Sequence, residues 1–338
     1  LMYSNKIPEK VRVSIGTAIF LGLIRGKIDA PPTTAYLMTY KNGKCLANCK
    51  FCPQARESHG RADMLSRVMW PSFSTVDVIK SIKRAFENGK IKRVCIQAIN
   101  YPEIFSDIKK LVEIILEEVK IPISVSCQPL SSEDIEALAE AGIDRVGIPL
   151  DAATAEIFDK IKGAKAGGPY DINRQLNMLK KAVEIFGRNR VSTHLIVGLG
   201  ETERDMVNML QKCVNMGVLP ALFAFTPVKG TAMEKVSPPL ISTYRRIQLA
   251  RYIIVNNVGR FEDMKFDGEG RIIEFGVDPQ TLREIINSGK PFQTSGCPAC
   301  NRPYYNERPS GPIYNYPRPL TGEEILKIFG ELGMSPSG

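Results

Sequence analysis

The sequence lacks any uninterrupted apolar run of about 18 residues, the length a helix needs to cross a bilayer. The nearest stretch, residues 13–24, is too short, and Arg25 follows it. No stretch reads as a signal peptide, so the expectation is a soluble, cytoplasmic protein with no membrane role. A basic tail, a tandem basic patch and an aromatic-studded surface are also missing. The net charge is +9, but lysine and arginine are spread along the chain, which argues against a nucleic-acid partner. That excess suits an acidic protein partner or an anionic cofactor. No Gly-x-Gly-x-x-Gly turn follows the first predicted strand, which weakens a doubly wound nucleotide-binding fold. What is present is 338 residues, 43% of them hydrophobic, enough for one large domain with its own core. Such a core does not need disulfides. The eight cysteines are clustered in part, and clustered thiols in an intracellular chain point to metal.

Three of them form Cys45-Leu46-Ala47-Asn48-Cys49-Lys50-Phe51-Cys52, at offsets of four and three, directly after a predicted strand. A structural zinc site wants four ligands, usually built from pairs two to four residues apart. Here no fourth thiol is near. Three thiolates can hold three corners of a cubane iron–sulfur cluster and leave one iron open to a substrate or cofactor. A zinc site completed from afar and unrelated free thiols are the remaining alternatives.

Residues 11–28 predict an N-terminal helix, within an extension covering 1–32, and Pro31 and Pro32 stop it. Residues 33–40 read as the first strand. Ser74 with Asp77 has the pattern of a capping box. Helices at 75–87, 104–118, 132–140, 171–186, 203–216, 241–256 and 279–287 then alternate with strands. The strands fall at 93–98, 123–127, 145–149, 191–197, 219–226, 261–266 and 291–295. Regular alternation means parallel strands covered by helices, and about eight units predict an α/β TIM-type (β/α)8 or near-complete barrel over 33–300. Five prolines between Pro303 and Pro319 mark an extended C-terminal strap, and 322–332 reads as a short amphipathic helix, giving a third segment, 301–338.

In a barrel the chemistry sits at the C-terminal ends of the strands. The three-cysteine loop falls there, as do Cys95, Cys127 and the pair Cys297 and Cys300. Four further thiolates would complete a second four-iron cluster or a zinc site. Taken singly, Cys95 and Cys127 also read as small buried hydrophobes, and the Cys297–Cys300 pair as a redox dithiol. Cys213 shares a helical face with Met206, Met209 and Leu210 and reads as core. The run His194 to Thr202, through Gly198, Gly200 and Glu201, is a strand entering a tight turn whose acidic residue opens the next helix.

The three-cysteine loop, with Phe51 before its third thiol, resembles the signature of the radical S-adenosylmethionine (SAM) superfamily. Cys52-Pro53-Gln54 and the glycine turn at Gly198–Gly200–Glu201 resemble its biotin synthase branch. The resemblance implies the radical SAM fold. It also implies a 4Fe-4S cluster on Cys45, Cys49 and Cys52, where SAM is cleaved to a 5′-deoxyadenosyl radical. Phe51, Asp151, Gly198, Gly200, Glu201, Val228 and Lys229 would form the SAM pocket, with Asp151 accepting ribose hydroxyls and 227–231 lying along the adenosine. The position of a neighbouring asparagine in that family is held here by Pro149. Cys95 and Cys127 match two auxiliary-cluster ligands of biotin synthase. A third aligns with Ser192, and that enzyme's arginine ligand with Arg271. Cys297 and Cys300 are additions, and the run from Gly296 to Pro309 resembles the archaeal two-component lipoyl synthases.

This second resemblance implies an auxiliary 4Fe-4S cluster on Cys95, Cys127, Cys297 and Cys300 that donates sulfur to an octanoyl or mercapto-octanoyl chain. The chain would be borne on a lysine of a small lipoyl-carrier protein. The implied partners are that carrier, a second lipoyl synthase component and a low-potential electron donor. The choice between carbons C8 and C6 stays open. Biotin synthase proper, another auxiliary-cluster radical SAM enzyme and a non-enzymatic iron–sulfur carrier are the competing readings. Arg302, Tyr304, Tyr305 and Arg308 are expected either at the substrate entrance or in a surface strap.

Overall fold

Twelve short strands and ten α-helices follow one another through the computed structural model, which describes residues 8–128 and 131–335. Residues 1–7 of the expected N-terminal extension and 336–338 of the C-terminal segment lie outside the described residues. The chain begins with β1 (Lys10–Val13), α1 (Ile15–Phe20) and β2 (Thr34–Met38). A hairpin of β3 (Met64–Leu65) and β4 (Val68–Met69) and the strand β5 (Ser72–Ser74) lead into α2 (Thr75–Glu87). Next come β6 (Arg93–Gln97), α3 (Ile104–Glu118), β7 (Ile123–Ser126), α4 (Ser132–Glu140) and β8 (Arg145–Gly147). The chain continues through α5 (Ala155–Ile161), α6 (Ile172–Phe186), β9 (Val191–Val197), α7 (Glu203–Asn215) and β10 (Val218–Ala224). After α8 (Ile241–Val255), the elements are β11 (Lys265–Phe266), β12 (Ile272–Glu274), α9 (Pro279–Asn287) and α10 (Gly322–Leu332).

The main sheet has the order β10-β9-β8-β7-β6-β2-β1-β5. Its run from β10 to β2 is parallel throughout, and β1 joins antiparallel to both β2 and β5. This is the near-complete form of the predicted barrel: among the described residues, six parallel strands curl and no strand pairs β10 with β2. The two strands predicted last are elsewhere. β11 pairs only with β12, because the Asp267 carboxylate accepts the Glu269 and Arg271 N–H groups and closes a tight hairpin turn. Residues 290–292 form one 3-10 turn around Pro291, whose ring fixes φ.

The helices face the sheet with apolar stripes. On α3, Ile104, Ile108, Leu111, Val112 and Ile115 recur at helical spacing and are buried, each stabilising the layer by about 1.5–3 kcal/mol. The N-terminal expectation fails for a physical reason. Val11 and Val13 suit a strand, both neighbours offer free edges, and the Ser14 hydroxyl caps only the six-residue α1. The sheet therefore begins inside the predicted 1–32 extension. Ser74 makes no side-chain cap. Instead Thr75 donates its N–H to the Glu9 carbonyl and its hydroxyl to Pro8, so tertiary contacts start α2.

The side of the barrel left open between β10 and β2 is crossed by residues 293–306. At one end the Thr33 hydroxyl donates to the Ala299 carbonyl at 2.6 Å, and the Asn301 amide oxygen accepts the Thr33 N–H at 3.0 Å. At the other, Ser295 Oγ accepts the Leu222 N–H of β10 at 2.8 Å, and the Thr226 hydroxyl donates to the Asn306 carbonyl. The strap thus does for the barrel what missing strands would have done. Arg245, 1% exposed, locks the remainder of the C-terminal segment onto α8. It donates to the Ile313 and Tyr314 carbonyls and pairs with Glu331 of α10 at 2.8 Å. Its five donors suit a buried site with several acceptors.

Candidate active site

At the C-terminal ends of the parallel strands lies a cavity of about 600 Å³, and every cysteine except Cys213 borders it. Cys213 is fully buried in α7 among apolar residues, as its spacing predicted.

The three-cysteine loop is rigid before any ligand is considered. The Cys45 N–H bonds the Gln54 carbonyl at 2.8 Å, Cys52 N–H bonds Cys49 and Lys50 N–H bonds Ile161. Gln54 is itself pinned to the Ala62 and Met64 carbonyls. Backbone N–H groups of Ala47 and Asn100 point at Cys45 Sγ, at 3.4 and 3.1 Å. Burial pushes all three thiols up, Cys52 to about 12 and Cys49 further, although the Lys162 charge opposes it at Cys45 and Cys49. Thiols in such a place remain protonated unless a cationic centre replaces the protons, so the donor set fits a cluster with thiolate ligands. Among the described residues, no three His, Cys, Asp or Glu side chains are grouped as a ready cage for a single metal ion.

A second group lies lower in the barrel. Tyr36, Cys95 and Ser124 share one level of β2, β6 and β7, and Cys297 and Cys300 arrive on the strap. Cys95 is pushed well up by burial first and by Cys297 and Cys300 next, so these thiols feel one another. Cys127 differs. It follows the last residue of β7, where its N–H donates to the Gly147 carbonyl, and the charge acting on it is that of Asp134 of α4. Burial and that carboxylate hold its thiol up at about 12. Of the four expected thiols, Cys95, Cys297 and Cys300 are grouped, and Cys127 borders the same cavity one residue beyond β7.

The expected SAM-pocket residues divide. Phe51 and Asp151 border the cavity; Gly198, Gly200, Glu201, Val228 and Lys229 do not. Gly198 and Gly200 have φ of +103° and +112°, a region open to glycine, and a Cβ at Gly198 would meet Pro239 at 3.0 Å. The Glu201 carboxylate closes this turn from within by accepting the Gly198 and Leu199 N–H groups at 2.7 and 2.9 Å. Burial holds the Glu201 carboxyl above its usual range, against those two hydrogen bonds. Val228 is buried and Lys229 exposed, while Gly230 is packed against His59 and Gly60, bracing the loop beyond the cysteines. The cavity wall there is Ile196, Phe225 and Thr226.

Asp151 sits at φ +67° after β8, and its carboxylate is already engaged. Lys162, 1% exposed, places Nζ 2.5 Å from Asp151 Oδ2 and 2.6 Å from the Pro149 carbonyl, beneath the rings of Tyr170 and Phe158. Nothing in the sequence pattern singled out Lys162. His194 was visible only as part of a strand. It faces the cavity with its ring 4.8 Å from Phe223, and burial lowers its pKa to about 4, so it is neutral.

Ser192 borders the cavity, but Arg271 does not: it is exposed in the β11–β12 turn, where Asp267 accepts its backbone N–H. Two other arginines border the cavity, Arg67 and Arg302, and the Arg302 guanidinium lies 3.8 Å from the centre of the Phe223 ring. Its Nη2 donates to the Ser295 carbonyl at 2.6 Å, while its buried Nε has no hydrogen-bond partner. Tyr304 and Tyr305 also border the cavity, whereas Arg308 is exposed and does not. Arg67 anchors this stretch by donating to the Tyr304 and Glu307 carbonyls.

Comparison with known proteins agrees with this geometry. The family model "Radical SAM superfamily" matches residues 40–213. A biotin synthase of Rhodopseudomonas palustris (strain BisB18) is 27% identical over 226 residues, covering 64% of this chain and 59% of that protein. One from Rickettsia felis is 30% identical over 225 residues, covering 64% and 68%. The match thus spans about three fifths of the Rhodopseudomonas relative. The FeFe-hydrogenase maturase HydG from Carboxydothermus hydrogenoformans superposes with a TM-score of 0.52 at 16% identity, over 90% of this chain and 67% of that one. At that identity the likeness is one of fold.

Proposed function

The chain belongs to the radical SAM superfamily, with relatives among the biotin synthases, and from that premise we propose that it inserts sulfur into an unactivated C–H bond of a protein-bound octanoyl or mercapto-octanoyl chain, in lipoyl cofactor biosynthesis. The observation that carries this reading is the meeting of Cys95, Cys297 and Cys300 across one cavity from Cys45, Cys49 and Cys52. Cys45, Cys49 and Cys52 would hold the family's 4Fe-4S cluster, and the second group an auxiliary 4Fe-4S cluster that serves as sulfur donor. SAM bound at the first site supplies a carbon radical able to take hydrogen from an alkyl chain.

The residues of this chain would do the rest. Apolar walls from Ile196, Phe223 and Phe225 receive an alkyl chain and exclude water and stray hydrogen donors. The Lys162–Asp151 pair keeps a charge-balanced floor beneath the first site. The strap carrying Arg302 and Tyr305 closes the side of the barrel and brings in the second set of thiols. An acidic lipoyl carrier bearing the acyl-lysine would be drawn by the +9 charge. A second lipoyl synthase component and a low-potential electron donor complete the proposed partners.

Biotin synthesis is the second reading, favoured by the names of the relatives. Against it stand Ser192, the exposed Arg271 and the added Cys297 and Cys300. The test is to incubate the reduced, iron-loaded protein with SAM and an octanoyl-lysyl or mercapto-octanoyl-lysyl peptide, with dethiobiotin in parallel. Mass spectrometry should find sulfur added to an acyl-lysyl peptide. Sulfur added to dethiobiotin alone assigns the second reading.

A further inference from the structure

Each of the three thiols of the inner group has a hydrogen-bond donor of its own. Gln97 Nε2 lies 3.1 Å from Cys95 Sγ. Ser124 Oγ accepts from Arg93 Nη1 at 2.9 Å, which leaves its proton for Cys297 Sγ, 3.7 Å away. Tyr36 Oη accepts the Arg302 N–H at 2.7 Å, which leaves its proton for Cys300 Sγ at 3.5 Å. Cys127 has no such donor among the described residues: its backbone N–H goes to the Gly147 carbonyl, and no side chain donates to its sulfur. Donors aimed at sulfur support a thiolate ligand and set its electron-donating strength.

We propose that the inner metal centre is held by three thiolates, Cys95, Cys297 and Cys300, that Cys127 is not a ligand, and that the fourth iron faces the cavity and takes an alkyl thiolate from outside the chain. The inference rests on the reading that a second cluster is present. Two further observations point to the incoming ligand. The buried Nε of Arg302 has no hydrogen-bond partner beside these thiols, so one donor is still free there for an incoming sulfur. The walls beyond it, Phe223, Tyr305 and Ile196, are apolar or aromatic and suit an alkyl tail. A thiol is the chemical class that joins the two: it binds iron through sulfur, gives up its proton to the solvent on binding, and carries its chain along the wall. A mercapto-acyl chain would bind in this way, held by its own sulfur.

The experiment counts iron and records the electron paramagnetic resonance of the reduced centre, without turnover. The wild type and Cys127→Ala should both hold about eight irons, while Cys95→Ala and Cys297→Ala/Cys300→Ala should hold about four. The Cys45→Ala/Cys49→Ala/Cys52→Ala variant isolates the inner centre. Addition of 1-octanethiol should change its signal, and octanoate should not. Loss of about four irons from Cys127→Ala in the otherwise intact protein overturns the three-thiolate assignment. So does a signal blind to octanethiol or moved equally by octanoate. A wild type holding only about four irons contradicts the second cluster itself, and so separates failure of the functional reading from failure of this one.

Discussion

Replacing Lys162 by methionine removes a buried ammonium of which 1% of the side chain is exposed, and strands the Asp151 carboxylate, 10% exposed, from a partner 2.5 Å away. Methionine keeps the volume and apolar stem, so the change is almost purely one of charge. Breaking a buried ion pair from one side costs about 3–5 kcal/mol, because the charge left behind has lost its water as well as its partner. Removing both charges costs much less, since neither is then stranded. A cycle of Lys162→Met, Asp151→Asn and the double variant should therefore show a coupling of about 2–3 kcal/mol, with the double variant more stable than the sum of its parts. Urea unfolding of equally iron-loaded samples measures it. The same lysine opposes the rise of the Cys45 and Cys49 thiols, so its loss should move the reduction potential of the first cluster to a more negative value. Single losses below about 1 kcal/mol that simply add would refute the idea of a desolvated, coupled pair.

Other consequences are open to the same methods. Tyr36→Phe should leave iron content unchanged, lower the potential of the inner centre by removing the donor to Cys300, and cost about 1–3 kcal/mol by orphaning the Arg302 N–H; a potentiometric titration checks the first effect. Glu203→Gln should destabilise by about 3–5 kcal/mol, because that carboxylate pairs with Arg246 of α8 and also accepts the Ile272 N–H of β12. Burial raises the Glu307 carboxyl to about 7 from its ordinary 4.5. The folded state thus binds its proton more tightly than the unfolded one, and this contribution is complete below pH 4.5 and lost as pH rises through 7. Glu307→Gln should flatten that part of the curve, worth on the order of 3 kcal/mol, in unfolding measured from pH 4.5 to 8. His194 acts in the opposite sense: its pKa is lowered to about 4, so its contribution is complete above 6.5 and falls away in acid, a trend His194→Phe should remove.

Periodicity made the central elements legible. The stripe on α3 and the apolar run of β9 put their boundaries where the structure has them, because one face of each must be buried. The ends of the sheet were not legible, since β1 is a strand only by virtue of edges offered by β2 and β5, which lie far along the chain. The strands expected at 261–266 and 291–295 failed for the opposite reason, as local turn chemistry at Asp267 and Pro291 overrides apolar content. In the site, spacing identified the thiols but not their partners. Cys95, Cys297 and Cys300 are joined by a strap whose path depends on hydrogen bonds to Thr33 and Leu222, and Lys162 meets its carboxylate partner, Asp151, only through the fold of the segment between them.

The central claim is that thiols on the strap hold the sulfur that the reaction delivers. It is tested most directly by reconstituting the protein with iron and heavy-isotope sulfide, removing free sulfide, and supplying SAM, reductant and an octanoyl-lysyl or mercapto-octanoyl-lysyl peptide. The account predicts heavy sulfur in the peptide product, and none with Cys297→Ala/Cys300→Ala. A product that carries only light sulfur, or one formed equally well by the double variant, would contradict it.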